Sequence, residues 1–228
     1  ITSISNHGKI MNLIQPKTAL ISLSDKTNLE ELIAFLISQN VKIISTGGTY
    51  QAIKKITDEV VEVSDFTGFE EMMDGRVKTL HPKIHAGILA RRDRDLKVLE
   101  ERGYEVIDLV IVNLYPFKET IASGCSFEEA IEKIDIGGPT MIRSAAKNFN
   151  DVAVITSPND YSVLMSEWSE QGGISYEFRK QLSQKVFALM ADYNAAISNY
   201  LSDEATGLPN YSFDESSTLR YGENPHQS

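Results

Sequence analysis

Between Gly75 and Leu89 the chain reads Gly-Arg-Val-Lys-Thr-Leu-His-Pro-Lys-Ile-His-Ala-Gly-Ile-Leu. Arg76, Lys78 and Lys83 place three cations within eight residues that contain no acid, in a chain whose formal net charge is −10. A local excess of positive charge in an acidic chain suits holding a small anion beside polar chemistry. A basic surface loop would have the same composition, so the neighbouring chemistry has to decide. His81 and His85 are four apart, but Pro82 lies between them and no glutamate follows His81, so the spacing does not make a metalloprotease-type metal site. Cys125 is the only cysteine; it sits in a Ser-Gly-Cys-Ser loop with no histidine nearby in sequence, so neither a disulfide nor a thiol nucleophile is expected.

Other polar clusters fall where strands end. Thr18–Leu23 is a short apolar run that predicts a buried strand, followed by Ser24-Asp25-Lys26-Thr27. Thr27 and Glu30 form a capping-box pattern ahead of a helix bearing Leu29, Leu32, Ile33 and Leu36. Val41–Ser45 predicts a second strand, and Ser45-Thr46-Gly47-Gly48-Thr49 leads into a helix over about Thr49–Lys55. Two strand–turn–helix units in succession predict a parallel α/β sheet, whose ligands bind at the carboxyl ends of the strands. Small residues at a helix N-terminus let a phosphate reach backbone N–H groups.

Val60–Val63 predicts a third strand and Arg91–Arg102 a solvated helix. Leu109–Asn113, uncharged and β-branched at three positions, predicts a fourth strand, and Pro116 forbids its continuation. Phe127–Ile134 reads as an amphipathic helix that delivers Asp135-Ile136-Gly137-Gly138 to the start of another, which carries Arg143 and Lys147. Asp151–Ile155 is a further strand, and Tyr176–Leu201 a long helix with Leu182, Val186, Leu189, Tyr193 and Ile197 as an apolar stripe. The fold class is therefore α/β: a three-layer α/β/α arrangement around a mostly parallel sheet. Residues 1–17 read as an N-terminal extension, 18–201 as one domain, 202–218 as a linker, and 219–228 as the start of something new.

The composition, 42% hydrophobic and 24% charged, is that of a globular domain. No stretch approaches the roughly 20 apolar residues of a membrane helix, and no secretory signal is read at the N-terminus. The acidic balance argues against general nucleic-acid binding. No Gly-x-Ser-x-Gly elbow, Rossmann fingerprint or phosphate-loop motif is present. The groups expected at one sheet edge are Lys26, Ser45, Gly47, Gly48, Thr49, Arg76, Lys78, Asn113, Tyr115, Asp135, Gly137 and Lys147. They comprise anion-binding groups, a carboxylate, lysines and a phenol without a strong nucleophile, which favours proton transfer on a phosphorylated substrate.

Seven ordered motifs add to this reading: Ser24–Thr27, Ser45–Thr49, Gly75–Pro82, His85–Leu89, Asn113–Phe117, Ile134–Gly138 and Arg143–Asn148. Together they resemble the inosine monophosphate (IMP) cyclohydrolase domain of the bifunctional purine-biosynthesis enzymes, over about Thr18–Leu201. The resemblance implies a methylglyoxal synthase-like fold and the last step of purine synthesis, in which a formylated aminoimidazole-carboxamide ribotide closes to IMP with loss of water. It implies that Ser24, Lys26, Ser45, Gly47, Gly48 and Thr49 hold the phosphate and ribose side. Arg76, Lys78 and Thr79 would contact the phosphate or base, and Asn113, Tyr115, Asp135, Ile136, Gly137, Gly138 and Lys147 would surround the reacting groups.

On that basis Asp135 would take the amide proton and Tyr115 would orient or relay one. Lys78, Lys147 and the Gly137 and Gly138 N–H groups would polarise the formyl oxygen. No metal or cofactor is implied for this step.

Arg220 and Tyr221 match the start of the family's second domain, a transformylase that uses 10-formyltetrahydrofolate as co-substrate; these few residues would not supply that activity. The resemblance further implies a homodimer, and the single cysteine fits a reducing cytoplasm. Asn28 stands where the family pattern has glycine. A methylglyoxal synthase-like lyase and a nucleotide-binding regulatory domain share the Ser24 and Ser45 turns, and are distinguished by Asn113–Phe117 and Asp135–Lys147.

Overall fold

The computed structural model describes residues 12–202 of the 228. Five strands form one parallel sheet: β1 (Thr18–Leu23), β2 (Lys42–Ser45), β3 (Val60–Glu62), β4 (Leu109–Asn113) and β5 (Ala153–Ile155). Their spatial order is β3-β2-β1-β4-β5. Consecutive residues along β1 and β4 are buried, Ala19, Leu20 and Ile21 in one and Leu109 to Val112 in the other. Both faces of the central strands are therefore covered, as in a three-layer α/β/α domain. The order reverses beside β1, so the crevice between the carboxyl ends of β1 and β4 is where such a sheet offers a ligand site. Leu23 pairs with Asn113 there.

Ten helices surround the sheet among the described residues: α1 (Leu29–Ser38), α2 (Gly47–Lys54), α3 (Val63–Thr67), α4 (Pro82–Leu89), α5 (Leu96–Glu101), α6 (Phe117–Ala122), α7 (Phe127–Glu132), α8 (Gly137–Lys147), α9 (Tyr161–Gln171) and α10 (Tyr176–Leu201). None is long and apolar enough to cross a membrane.

Several local expectations change. The Thr27–Glu30 capping box does not form, because the Asp25 carboxylate captures Thr27 first: Oδ1 accepts from its N–H at 2.9 Å and its hydroxyl at 2.7 Å. The helix starts after Asn28, which is left-handed with φ 59°. Glycine is the easiest residue there and asparagine among the next best, which accounts for the departure from the family pattern. α4 carries no expected element at all. His81 caps it, its Nδ1 accepting from Lys83 N at 3.1 Å with Pro82 in the first turn. His81 is thus a helix cap, while His85 faces Ser144 on α8, so the two rings do not converge.

Residues 12–16 are tied to the body. Ile14 exchanges backbone hydrogen bonds with Ile174, at 3.0 and 2.8 Å. The fully buried guanidinium of Arg179, on α10, donates to the carbonyls of Asn12 (3.1 Å), Phe149 (2.8 Å), Asn150 (2.9 Å) and Ile174. Arg220, Tyr221 and the proposed linker beyond Ser202 lie outside the described residues.

Candidate active site at the carboxyl edge of the sheet

The crevice is built from loops that hydrogen-bond to one another before they meet any ligand. Asn113, at the end of β4, uses Oδ1 to accept from Ser24 N (2.6 Å), Ser24 Oγ (2.8 Å) and Asp25 N (3.0 Å), and its Nδ2 donates to Asp25 O (2.9 Å). It is a clasp that fixes the β1 loop. Ser24 Oγ also lies 2.8 Å from Leu114 O, and Lys26 Nζ donates to Leu23 O at 3.2 Å.

Ser45 and Thr49 are likewise committed to the backbone. Ser45 is fully buried and donates to Ile21 O at 2.8 Å; Thr49 Oγ1 accepts from Leu23 N at 2.8 Å and donates to Leu23 O at 3.1 Å. Each ties the neighbouring chain to β1 instead of presenting a hydroxyl to the crevice. Ser45→Ala is accordingly expected to lower stability by about 1 kcal/mol in chemical denaturation and to leave nucleotide affinity unchanged in a titration.

What faces the crevice at the start of α2 is backbone. Gly47 takes φ +56°, and a side chain on Gly48 would meet nothing within 4 Å. The Thr46 hydroxyl at the N-cap is buried with no partner. Free N–H groups and the helix dipole together make an anion site. A cleft of about 190 Å³ lies beside it, lined in part by Gly47, Gln51, Glu62, Glu71 and Lys78. Thr46, Glu62 and Glu71 carried no expected role. The loop Ser45–Thr49 signals Thr46 only through its position one residue before the glycines. Arg76 is exposed and paired with Glu132, while Lys78 Nζ lies 2.5 Å from Glu71 Oε2.

The second half of the site is the turn into α8. Asp135 N–H donates to the buried Tyr193 hydroxyl of α10 at 2.8 Å, and Asp135 Oδ1 accepts from Gly138 N at 2.9 Å. The N–H groups of Tyr115 and Gly137 also face this carboxylate. Burial raises its pKa above the ordinary 3.8, and the three N–H groups offset only part of that rise. Gly138 admits no side chain, since a Cβ there would strike the Asp135 carboxylate and come within 2.8 Å of Leu114 Cδ2. Gly137 is pressed just as closely by Thr79, whose Oγ1 would sit 2.6 Å from an added Cβ. The Gly138 N–H is spent on Asp135, so the expected role of these amides in polarising a carbonyl gives way to stabilising the carboxylate. Tyr115 and Ile136 are exposed at the rim, with Lys133 Nζ 4.9 Å from the centre of the Tyr115 ring.

Lys78 and Thr79 join the two halves. The Lys78 ammonium lies over the start of α2, 3.4 Å from where a Gly47 Cβ would be, and the next residue packs on Gly137. Lys147 is not brought to this place. It closes α8 and is separated from Gly137 by the length of that 11-residue helix, on the order of 15 Å.

His85 supports the junction from below. Its Nδ1 is 3.2 Å from Ser144 Oγ and its Nε2 is buried without a partner. Burial lowers its pKa below 6.5, with the Thr79 backbone offsetting part of the shift. Below about pH 6.5 the unfolded chain takes up a proton here that the folded chain resists, so stability should fall as pH drops from 7 towards 5. The slope from this residue is at most about 1.4 kcal/mol per pH unit, and His85→Gln should remove it from urea midpoints measured across that range.

Comparison with known proteins bears on this geometry. Residues 28–140 match the family model of the MGS-like domain, and residues 145–228 that of the AICARFT/IMPCHase bienzyme. The chain is 53% identical over 216 residues to a bifunctional purine biosynthesis protein PurH from Clostridium perfringens, covering 92% of this chain and 43% of that protein. A PurH of Clostridium botulinum is 52% identical over 217 residues, covering 93% and 43%. The chain thus spans less than half the length of these relatives. The crystal structure of ForH superposes with a TM-score of 0.70 at 35% identity, covering 81% of this chain and 98% of that one. Both halves of the crevice fall within the matched region, and the chain belongs to the family of bifunctional purine biosynthesis PurH proteins, of which it corresponds to the N-terminal part.

Proposed function

We propose that this chain is an IMP cyclohydrolase, closing the formylated aminoimidazole-carboxamide ribotide to IMP with release of water. The observation that carries the reading is the pairing, across Lys78 and Thr79, of an anion-binding helix start with a half-buried carboxylate of raised pKa. The substrate phosphate would lie at Gly47 and Gly48 with Lys78 beside it, and the base end would reach the Asp135 turn. Ring closure joins the carboxamide nitrogen to the formyl carbon of the same molecule, so alignment supplies much of the acceleration.

An amide nitrogen is a weak nucleophile, and Asp135 is placed to accept its proton as the N–C bond forms. The same carboxylic acid can return that proton to the former formyl oxygen, which becomes a hydroxyl. The formamido N–H then gives up its proton as the C=N bond forms, and the hydroxyl takes up that proton and leaves as water. A carboxyl group with a raised pKa suits both directions. The Tyr115 hydroxyl would assist at the rim. An ammonium from Lys147 can join only if a second copy delivers it, which is compatible with a cytoplasmic homodimer. The intact protein would also carry formyltransferase activity with 10-formyltetrahydrofolate, through a domain to which Arg220 and Tyr221 belong.

The test is to offer this chain the formylated ribotide and, separately, dihydroxyacetone phosphate. Conversion of the first to IMP is the expected result. Elimination of phosphate from the second, with no ring closure, would establish the lyase instead.

A further inference from the structure

Among the described residues Lys78 is the cation that lies over the start of α2 and lines the cleft, and it is already engaged. Met72 and Val77 form an antiparallel bridge, and Glu71 and Lys78 are the next opposed residues across that hairpin, which makes them a cross-strand ion pair. The hairpin is tightly wound: Met73, Asp74 and Gly75 take φ of 54°, 54° and 85° in succession. Two non-glycine residues in the left-handed region are costly and hold the legs in fixed register. Glu71 therefore presents its carboxylate beside Lys78 because of the loop's own geometry. It also lines the same cleft as Gly47, so a carboxylate stands at the place where the helix start attracts anions.

Resting on the reading that this cleft takes a substrate phosphate, we propose that Glu71 is the resident counter-anion of Lys78 and sets the cleft's selectivity for phosphate. A phosphate seated at Gly47 brings two negative charges close to that carboxylate, and the ammonium is exchanged from one anion to the other. Glu71 has room to leave, since its side chain is 51% exposed against 25% for Lys78. A weakly charged anion gains little by displacing it, whereas a dianion gains enough. The paired carboxylate thus acts as a threshold, and it keeps Lys78 ordered over the helix start between turnovers. Glu71 touches no reacting atom and is a positioning residue that works through Lys78.

The sign of the effect separates this from a structural role. If Glu71 only braced the hairpin, removing its charge would loosen Lys78 and weaken binding. As a resident counter-anion, its removal should tighten binding. Calorimetric titration of inorganic phosphate into the 228-residue chain is expected to give a Kd about threefold to fivefold lower for Glu71→Gln than for the unmodified protein, the scale of a partly exposed ion pair. Glu71→Ala should behave alike, and KM for the formylated ribotide should fall by a similar factor with kcat unchanged.

Asp58→Asn removes an equal charge from the exposed Lys54–Asp58 pair at the far end of α2 and should leave the Kd where it was. Unchanged or weaker binding in both Glu71 variants, with normal binding by the unmodified chain, would overturn the proposal alone. So would equal tightening in Asp58→Asn, which would make the effect one of net charge. Absence of phosphate and IMP binding to every form would overturn it together with the reading on which it rests.

Discussion

Asp135→Asn is expected to lower kcat for ring closure by about 10² to 10⁴-fold, the usual worth of a positioned general base, while KM changes little. The substitution keeps the shape of the side chain and one acceptor for Gly138 N–H, but an amide cannot take the substrate proton. The carboxylate is oriented from two sides. Its own backbone N–H is held by Tyr193 of α10 at 2.8 Å, and its oxygens face the N–H groups of Gly138, Tyr115 and Gly137. KM is insulated because the anion-binding helix start is a separate part of the crevice. In the unmodified chain, turnover should rise with pH as Asp135 ionises, at a pH above the ordinary carboxylate value of 3.8 because burial disfavours the charge. Absorbance-monitored ring closure from pH 4 to 8 reads both expectations. Turnover within about tenfold of the unmodified chain would remove Asp135 from the base role.

The largest expected effect on stability is far from that chemistry. Arg179→Met should cost about 3–5 kcal/mol, measured as a shift in the denaturant midpoint at constant m-value. The guanidinium is fully buried, and the carbonyls of Asn12, Phe149, Asn150 and Ile174 all accept from it. Methionine fills much of the volume but leaves those acceptors unsatisfied. Lysine, a point charge on a flexible stem, cannot reproduce a planar fork reaching four carbonyls. The residue joins the start of the described chain, the loop between α8 and β5, and the approach to α10, so its loss should loosen Asn12–Gln15 first. A change of less than about 1 kcal/mol would show that these carbonyls find other donors.

The parts of the fold legible in the sequence are those where packing alone dictates structure. Leu109–Asn113 is uncharged and buried from Leu109 to Val112, and its strand has the expected limits. The apolar stripe of Tyr176–Leu201 likewise runs as one helix between those residues. Arg179 lies within that helix and carried no expectation, because all its partners are backbone carbonyls from segments that carry no sequence signature. Thr27 and Glu30 misled for the opposite reason: a nearer side chain, Asp25, outcompeted the helix for the threonine.

At the site, residue types were legible but not what each group bonds to. Ser45 and Asn113 sit at the expected strand ends and Thr49 in the first turn of α2, yet their polar atoms stitch the loops together. A side chain's choice between backbone and ligand depends on where the next strand's carbonyl falls. The position of Lys147 was legible in principle, because a helix beginning at Gly137 must carry it away from Asp135 by its own rise. Glu71 was invisible, since its opposition to Lys78 depends on a hairpin with left-handed turns at non-glycine residues.

One nucleotide is expected to span the α2 start and the Asp135 turn of a single crevice. The measurement that tests it most directly is a ¹⁵N–¹H correlation titration of the chain, first with inorganic phosphate and then with IMP. Phosphate should move the Gly47 and Gly48 amides and leave Gly137 and Gly138 in place, whereas IMP should move all four. An IMP titration that shifts only the first pair, or neither, would contradict the account.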